Sequence, residues 1–328
     1  MKASRLLGWL VPLALLGVIV WGVRDTLAGR RAAPGAAAEA PAPGFPRTIT
    51  LPDGGRLTLA APPHRIVPAS SGLADLVCAL VLPERIAALP TQVRDYSGLR
   101  EPGNPYLARP QFEAYAAEPL LAFRSDLVVV DRWAQVETTA RLREAGVPVL
   151  VMDAPEHLAD VRAALTLLAS ALGTEDAGRA ALAGLDDRVQ ALQTSAPRRA
   201  GLRAVAYTNG GTGGWVAGAG TSADEWITLA GLTNAAAAGR RGHERCSFEE
   251  LLALDPDLII VPGSPAAGLG AGTARLLSTE PALQSLRALA RRAIVVLDPW
   301  LYDTASQHIV TAAERLAAAV DALPGTAR

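Results

Sequence analysis

The sequence predicts an α/β protein made of two Rossmann-like lobes with central sheets, joined by a single long connecting helix, with a ligand cleft between the lobes. Three features of the 328-residue chain predict it. Short apolar runs alternate with helical segments, which is how buried parallel strands read. One uninterrupted helical stretch separates two such blocks. The segment Glu118-Pro-Leu-Leu-Ala-Phe-Arg-Ser-Asp126-Leu-Val-Val-Val in the first block returns in the second as Glu249-Glu-Leu-Leu-Ala-Leu-Asp-Pro-Asp257-Leu-Ile-Ile-Val. Glutamate and aspartate stand eight residues apart in both copies, so each reads as a short helix running into a buried strand at the same place in its lobe.

In chain order, Lys2 and Arg5 precede an uncharged apolar stretch from Leu6 to Val23, so residues 1–31 are expected to be a secretory signal peptide or membrane anchor. Arg24, Arg30 and Arg31 follow it, cleavage fits after Ala38, and the absence of a cysteine near its end excludes a lipoprotein anchor there. Residues 32–46, rich in Ala, Pro and Gly, lack the side chains to pack a core and read as a linker.

The N-terminal lobe is expected over 47–152. It opens on a hairpin, Arg47–Leu51 with Arg56–Leu59, around the turn Pro52-Asp53-Gly54-Gly55. Strand-like runs follow at Ile66–Ala69, Arg85–Leu89, Leu127–Val130 and Val147–Met152. Over 153–172, Leu158, Val161, Leu165, Leu168 and Leu172 recur at helical spacing after Asp153, Pro155 and Glu156, which predicts the connecting helix and its capped start. The C-terminal lobe then takes 173–328, with strands at Arg203–Asn209, Leu258–Val261 and Ala293–Leu297. It closes on an amphipathic helix from about Ser306 to Leu323.

Composition excludes several functions. A formal charge of -1 gives no basic excess, so nucleic acid is not an expected partner. Cys78 and Cys246 both read as small buried hydrophobes, not a disulfide framework. The run Gly210-Gly211-Thr-Gly213-Gly214 completes no dinucleotide or P-loop spacing and reads as a tight loop. His64, His157, His243 and His308 form no zinc signature. No nucleophile elbow or metalloprotease helix is present, and no enzyme is expected.

The chain resembles the helix-linked periplasmic binding proteins of vitamin B12, ferric-siderophore and haem ABC importers. The resemblance covers roughly residues 47–325 and rests on several pieces in order: the lead-in Arg47-Thr-Ile-Thr-Leu, Pro63-His-Arg65-Ile-Val with Ser70-Ser71, Gly218-Ala-Gly220-Thr221 with Leu229-Ala-Gly231-Leu-Thr-Asn234, and Ser247-Phe-Glu249 through Asp257. The sequence departs from the family pattern at Asp75, where glutamate is usual, at Val81, where glycine is usual, and at Ser125, which replaces a proline. The resemblance implies an exported protein, periplasmic or tethered to the outer face of the cytoplasmic membrane. It would work as a monomer with a permease and ATPase complex, carry no intrinsic cofactor, and take a ferric siderophore or cobalamin as ligand. It also implies that Glu118 and Glu249 dock on arginines of the permease.

The expected ligand contacts follow from strand-to-helix loops, where parallel-sheet folds present their sites. Ser70 and Ser71 lie after the first strand, Tyr96 after the second, Trp133 after the third, Trp215 after the first strand of the second lobe, and Trp300 with Tyr302 after its last. Flat aromatic faces suit a bulky chelate, and Arg94 or Arg132 could meet a carboxylated one. Alternatives are a bare transition-metal ion, haem with Tyr96, Tyr106, Tyr302 or His243 as axial ligand, or a non-transport sensor or scaffold on the same fold.

Overall fold

The computed structural model describes residues 44–52, 54–211, 213–264, 266 and 272–323. The leader and the linker as far as residue 43 lie outside the described residues. Among the described residues no helix is long and apolar enough to cross a membrane.

Strands β1 (Arg47–Thr50) and β2 (Arg56–Leu59) form the antiparallel hairpin, with Arg47 opposite Leu59. The next block runs β3 (Ile66–Pro68), α1 (Ser71–Cys78), β4 (Leu89–Pro90), α2 (Val93–Tyr96), β5 (Gln111–Phe112), α3 (Ala117–Ala122), β6 (Leu127–Asp131), α4 (Val136–Glu144) and β7 (Val149–Met152). Here β3, β6 and β7 make a parallel sheet, β4 pairs with β5, and an Ile66–Ile86 bridge links the two. The expected strand at Arg85–Leu89 shrinks to that bridge and β4. Pro83 starts a single 3-10 turn there, in which the Arg85 backbone N–H is taken by the Leu82 carbonyl (3.0 Å) and so is not free for a ladder.

Two helices follow, α5 (Leu158–Leu172) and α6 (Glu175–Ser195), joined by Gly173 in the left-handed region at φ +66°. The connecting helix starts at Leu158 and not at Asp153, because the acids expected to cap it have other partners. Asp153 takes the Arg132 guanidinium (2.9 Å), and Glu156 accepts from the Ser222 backbone N–H (2.9 Å). The carboxylate that receives the His157 N–H is Asp160, at 2.9 Å.

The last block runs β8 (Arg203–Asn209), β9 (Gly214–Ala217), α7 (Ser222–Leu229), β10 (Thr233–Asn234), β11 (His243–Cys246), α8 (Phe248–Leu254), β12 (Leu258–Pro262), α9 (Gly272–Thr279), α10 (Arg287–Ala290), β13 (Ile294–Leu297), α11 (Pro299–Tyr302) and α12 (His308–Asp321). The sheet order is β11-β9-β8-β12-β13, with β10 also on β8. After the glycine run the chain returns as β9, antiparallel to β8. Each block has its own core, one around Val67, Val128 and Val149, the other around Val205, Ile259 and Leu277.

The repeat has a physical basis in both lobes. Asp126 accepts from the backbone N–H groups of His64 (2.7 Å) and Arg65 (2.8 Å), just before β3, and Asp257 accepts from that of Arg203 (2.9 Å), at the start of β8. Two residues upstream, Arg124 and Asp255 both take positive φ, 49° and 35°, to end α3 and α8. An arginine then holds the freed carbonyls: Arg65 donates to Arg124 O (3.0 Å), and Arg287 to Asp255 O (2.6 Å).

The copies differ between these positions, where Ser125 faces Pro256. Ser125 is buried and its hydroxyl has no partner. Ser125→Pro should therefore stabilise the protein by about 1 kcal/mol, through removal of the orphaned hydroxyl and of chain entropy in the unfolded state. A higher melting temperature in thermal denaturation is the expected result.

Candidate functional site

A cavity of about 480 Å³ is lined by Ser70, Ser71, Tyr96, Asp131 and Trp133 on the N-terminal side and by Trp300, Asp303, Thr304 and Ala305 on the C-terminal side. The strand ends build it. Ser70 follows β3, accepts the Leu73 N–H at 3.3 Å as N-cap of α1, and opens the loop toward the cavity. Asp131 is the last residue of β6, Trp133 lies in the loop after it, and Trp300 stands on the single turn that follows β13. Asp131 and Trp133 also line an adjoining recess of about 280 Å³ with Tyr115 and Gln135.

The two lobes meet at the cavity floor through Asp75. Its Oδ1 accepts from the Ser97 hydroxyl (2.5 Å) and the Gly98 N–H (3.0 Å), and Oδ2 from the Ser306 hydroxyl (3.3 Å) of the other lobe. The Gln307 amide donates to the Asp75 carbonyl at 2.9 Å. A Cβ added to Gly98 would collide with the His308 ring, and one added to Gly72 would crowd the Ala305 carbonyl. Small residues thus permit the close approach. Aspartate at position 75 is the family departure noted above, and it serves as a bridge between the lobes.

The cavity acids sit where burial disfavours charge. Burial raises the Asp131 carboxyl, opposed by a hydrogen bond with Ser70, and burial likewise raises Asp303, opposed by His243. A carboxylate with a raised folded-state pKa loses stability for the protein as pH climbs through the interval between the ordinary and the raised values. Asp131→Asn should therefore melt at the same temperature as the native chain or higher at pH 7. The difference should shrink on acidification toward the ordinary carboxylate range, which thermal melts at pH 7 and pH 4 would check.

The expected ligand residues divide by position. Ser70, Ser71, Tyr96, Trp133 and Trp300 line the cavity, and Trp133 is 87% exposed. Tyr302 was expected there but packs into the core against Trp226, with ring centroids 5.9 Å apart. Trp300 and Tyr302 point apart because two residues on one helical turn do not share a face. Trp215 is half-exposed on β9, opposite Arg245, whose guanidinium lies 5.6 Å from its ring, and it does not line the cavity. Arg132 is engaged with Asp153, and the Arg94 Nε donates to Gln111 (2.9 Å). Of the other haem-ligand candidates, Tyr106 donates to the Cys78 carbonyl at 2.9 Å.

Sequence reasoning passed over Asp75, Asp131 and Asp303. The strand-end rule that selected the aromatics applies equally to Asp131, which precedes Trp133 by two residues. Both cysteines are buried and free, and burial pushes the Cys246 thiol up to about 11, leaving it unreactive.

Glu118 and Glu249 are exposed in the first turns of α3 and α8. Neither forms an ion pair among the described residues. The adjacent Glu250 is engaged, accepting from the Ser247 N–H (2.7 Å) and pairing with Arg240 (2.9 Å). Backbone and Ser247 hydrogen bonds hold the Glu249 carboxyl below its ordinary pKa, so it stays charged at neutral pH. Among the described residues no group of three His, Cys, Asp or Glu side chains is placed to hold a metal ion.

Two separately cored α/β lobes with a shared cavity are the architecture of a solute-binding protein. The chain matches the periplasmic binding protein family over residues 67–301, and it belongs to that family. The periplasmic haem-binding protein BhuT, solved with two haems, is 28% identical with a TM-score of 0.66, covering 78% of this chain and 98% of its own. Haem-binding RhuT from Roseiflexus sp. is 24% identical with a TM-score of 0.66, over 78% and 98%. An Fe3+-hydroxamate transport protein from Saccharomonospora viridis is 21% identical with a TM-score of 0.66, over 84% and 99%. No curated protein sequence matches the chain.

Proposed function

We propose that this chain is the extracytoplasmic binding component of an ABC importer for a metal chelate. It would capture its ligand between the lobes and deliver it to a permease driven by an ATPase. The observation that carries this is the cavity itself, to which both lobes contribute aromatic and polar side chains. Its volume falls in the ordinary range for small-molecule sites. Ser70, Ser71, Tyr96, Trp133 and Trp300 are the proposed ligand contacts, with Glu118 and Glu249 as docking residues. The protein acts by binding and not by catalysis, as a monomer, in the periplasm or tethered by its N-terminal segment.

Haem and ferric hydroxamate are named for several of the similar structures and molybdate for another, which supports an iron chelate over cobalamin. Haem is the second reading, favoured by BhuT and by Tyr96, a phenol at the cavity wall that could serve as axial ligand. The lobes are bridged by helix α5 and held by the Asp75 contacts, so closure is a modest rocking movement. Titrating the purified protein with a ferric trihydroxamate, haem, cobalamin and zinc, with absorbance and tryptophan fluorescence recorded, tests the proposal. Saturable quenching by an iron chelate is expected; a response to zinc alone, or to none of the four, would overturn it.

A further inference from the structure

We infer that the cleft is selective for a ferric chelate of net positive charge, with Asp131 and Asp303 as the specificity-determining residues. This rests on the chelate-binding function proposed above and narrows it to one class of ligand.

Apart from the Tyr96 phenol, the titratable side chains lining the cavity are all carboxylates, and no arginine, lysine or histidine lines it among the described residues. Asp75 is occupied by its bonds to Ser97, Gly98 and Ser306. Asp131, at the end of β6, and Asp303, just after α11, are left to meet a ligand, one from each lobe. The arginines nearby carry their own counter-charges. Arg132 is held by Asp153, and Arg100 lies 3.7 Å from Asp298 and 3.8 Å from Glu101. Arg94 is engaged by Gln111 and does not line the cavity. His243, on β11, lowers the Asp303 carboxyl through its charge when protonated.

Two of the lining aromatics point the same way, because the face of an indole or phenol ring carries negative charge density and attracts cations; the third, Trp300, already has the Arg100 guanidinium 5.2 Å from its ring. Trp133, almost fully exposed, and Tyr96 offer such faces beside Asp131. Burial raises the Asp131 carboxyl, and Asp303 stands exposed at the cavity rim. A carboxyl perturbed by burial in a cleft is a functional-site candidate. A ferric trihydroxamate core is neutral, and a pendant ammonium group makes the whole ligand cationic. Haem, with two propionates, and a ferric tris-catecholate, with several negative charges, would face repulsion from both lobes.

The test uses the full chain and three iron chelates: ferrioxamine B, which carries one positive charge, its N-acetylated neutral derivative, and haem. Affinities are measured by tryptophan quenching. Ferrioxamine B should bind at least about tenfold more tightly than the neutral derivative, the size expected of a unit charge several ångströms from a partly screened carboxylate, and haem should bind weakest. Asp131→Asn and Asp303→Asn should each cut the ratio of the two affinities by about threefold, and the double variant should bring it near one. Should either variant fail to fold, the salt dependence of the native chain still decides, because raised ionic strength should weaken ferrioxamine B and not its neutral derivative. Equal affinities, tighter binding of haem, or salt-insensitive binding of ferrioxamine B would overturn this inference and leave chelate binding intact. Binding of none of the three would remove both.

Discussion

Replacing Glu118 and Glu249 together with arginine is expected to abolish chelate uptake by cells while the purified protein binds its ligand with unchanged affinity. Both carboxylates are exposed on the first turns of equivalent helices. Lost docking would therefore arise from charge reversal and not from damage to a core. Charge reversal sets like charges against each other across the docking surface, so two reversals leave uptake at background. Glu250→Gln is the contrasting substitution, because that side chain is occupied by Ser247 and Arg240. It should keep the capping geometry at the start of α8, lose the Arg240 ion pair, and leave uptake in place. Retained uptake in the double variant, with reduced ligand affinity, would remove the docking role.

Trp133→Ala should weaken chelate binding by about thirtyfold, near 2 kcal/mol, the size typical of an aromatic hot spot. Because Trp133 is 87% exposed, its loss should leave the melting temperature unchanged. Trp215→Ala is the control, since Trp215 stands on a strand away from the cavity lining, and its affinity should equal that of the native chain. Isothermal titration of the two variants separates them. A larger loss from Trp215→Ala than from Trp133→Ala would relocate the site.

The parallel strands were readable in the sequence because a strand buried on both faces must be almost wholly apolar, as in β3, β6 and β12. The repeat was readable because its determinants are local: a helix start, a left-handed stop and an aspartate that ties the next strand down. By contrast β9 and β11 were missed. Exposed Trp215 pairs with exposed Arg245, and buried Val216 lies opposite Glu244, so no apolar run announces them. The start of the connecting helix was misplaced because Asp153 and Glu156 look like capping residues until tertiary partners claim them.

The site divides in the same manner. Aromatics at strand ends are conspicuous, and Tyr96, Trp133 and Trp300 lie on the cavity. Asp131 and Asp303 are ordinary loop acids until the fold brings them to one cavity from far apart in the chain. Tyr302 was drawn in by its nearness to Trp300, although the turn of α11 sends its ring into the core. Position along the chain located the loops, and the packing of α11 decided that Trp300 and not Tyr302 lines the cavity.

Hydrogen–deuterium exchange, recorded with and without a saturating ferric trihydroxamate, tests ligand capture between the lobes most directly. Slowed exchange is expected in residues 69–72 and 131–135 of the first lobe together with 299–306 of the second. Unchanged exchange in all three segments, or slowing confined to one lobe, would contradict it.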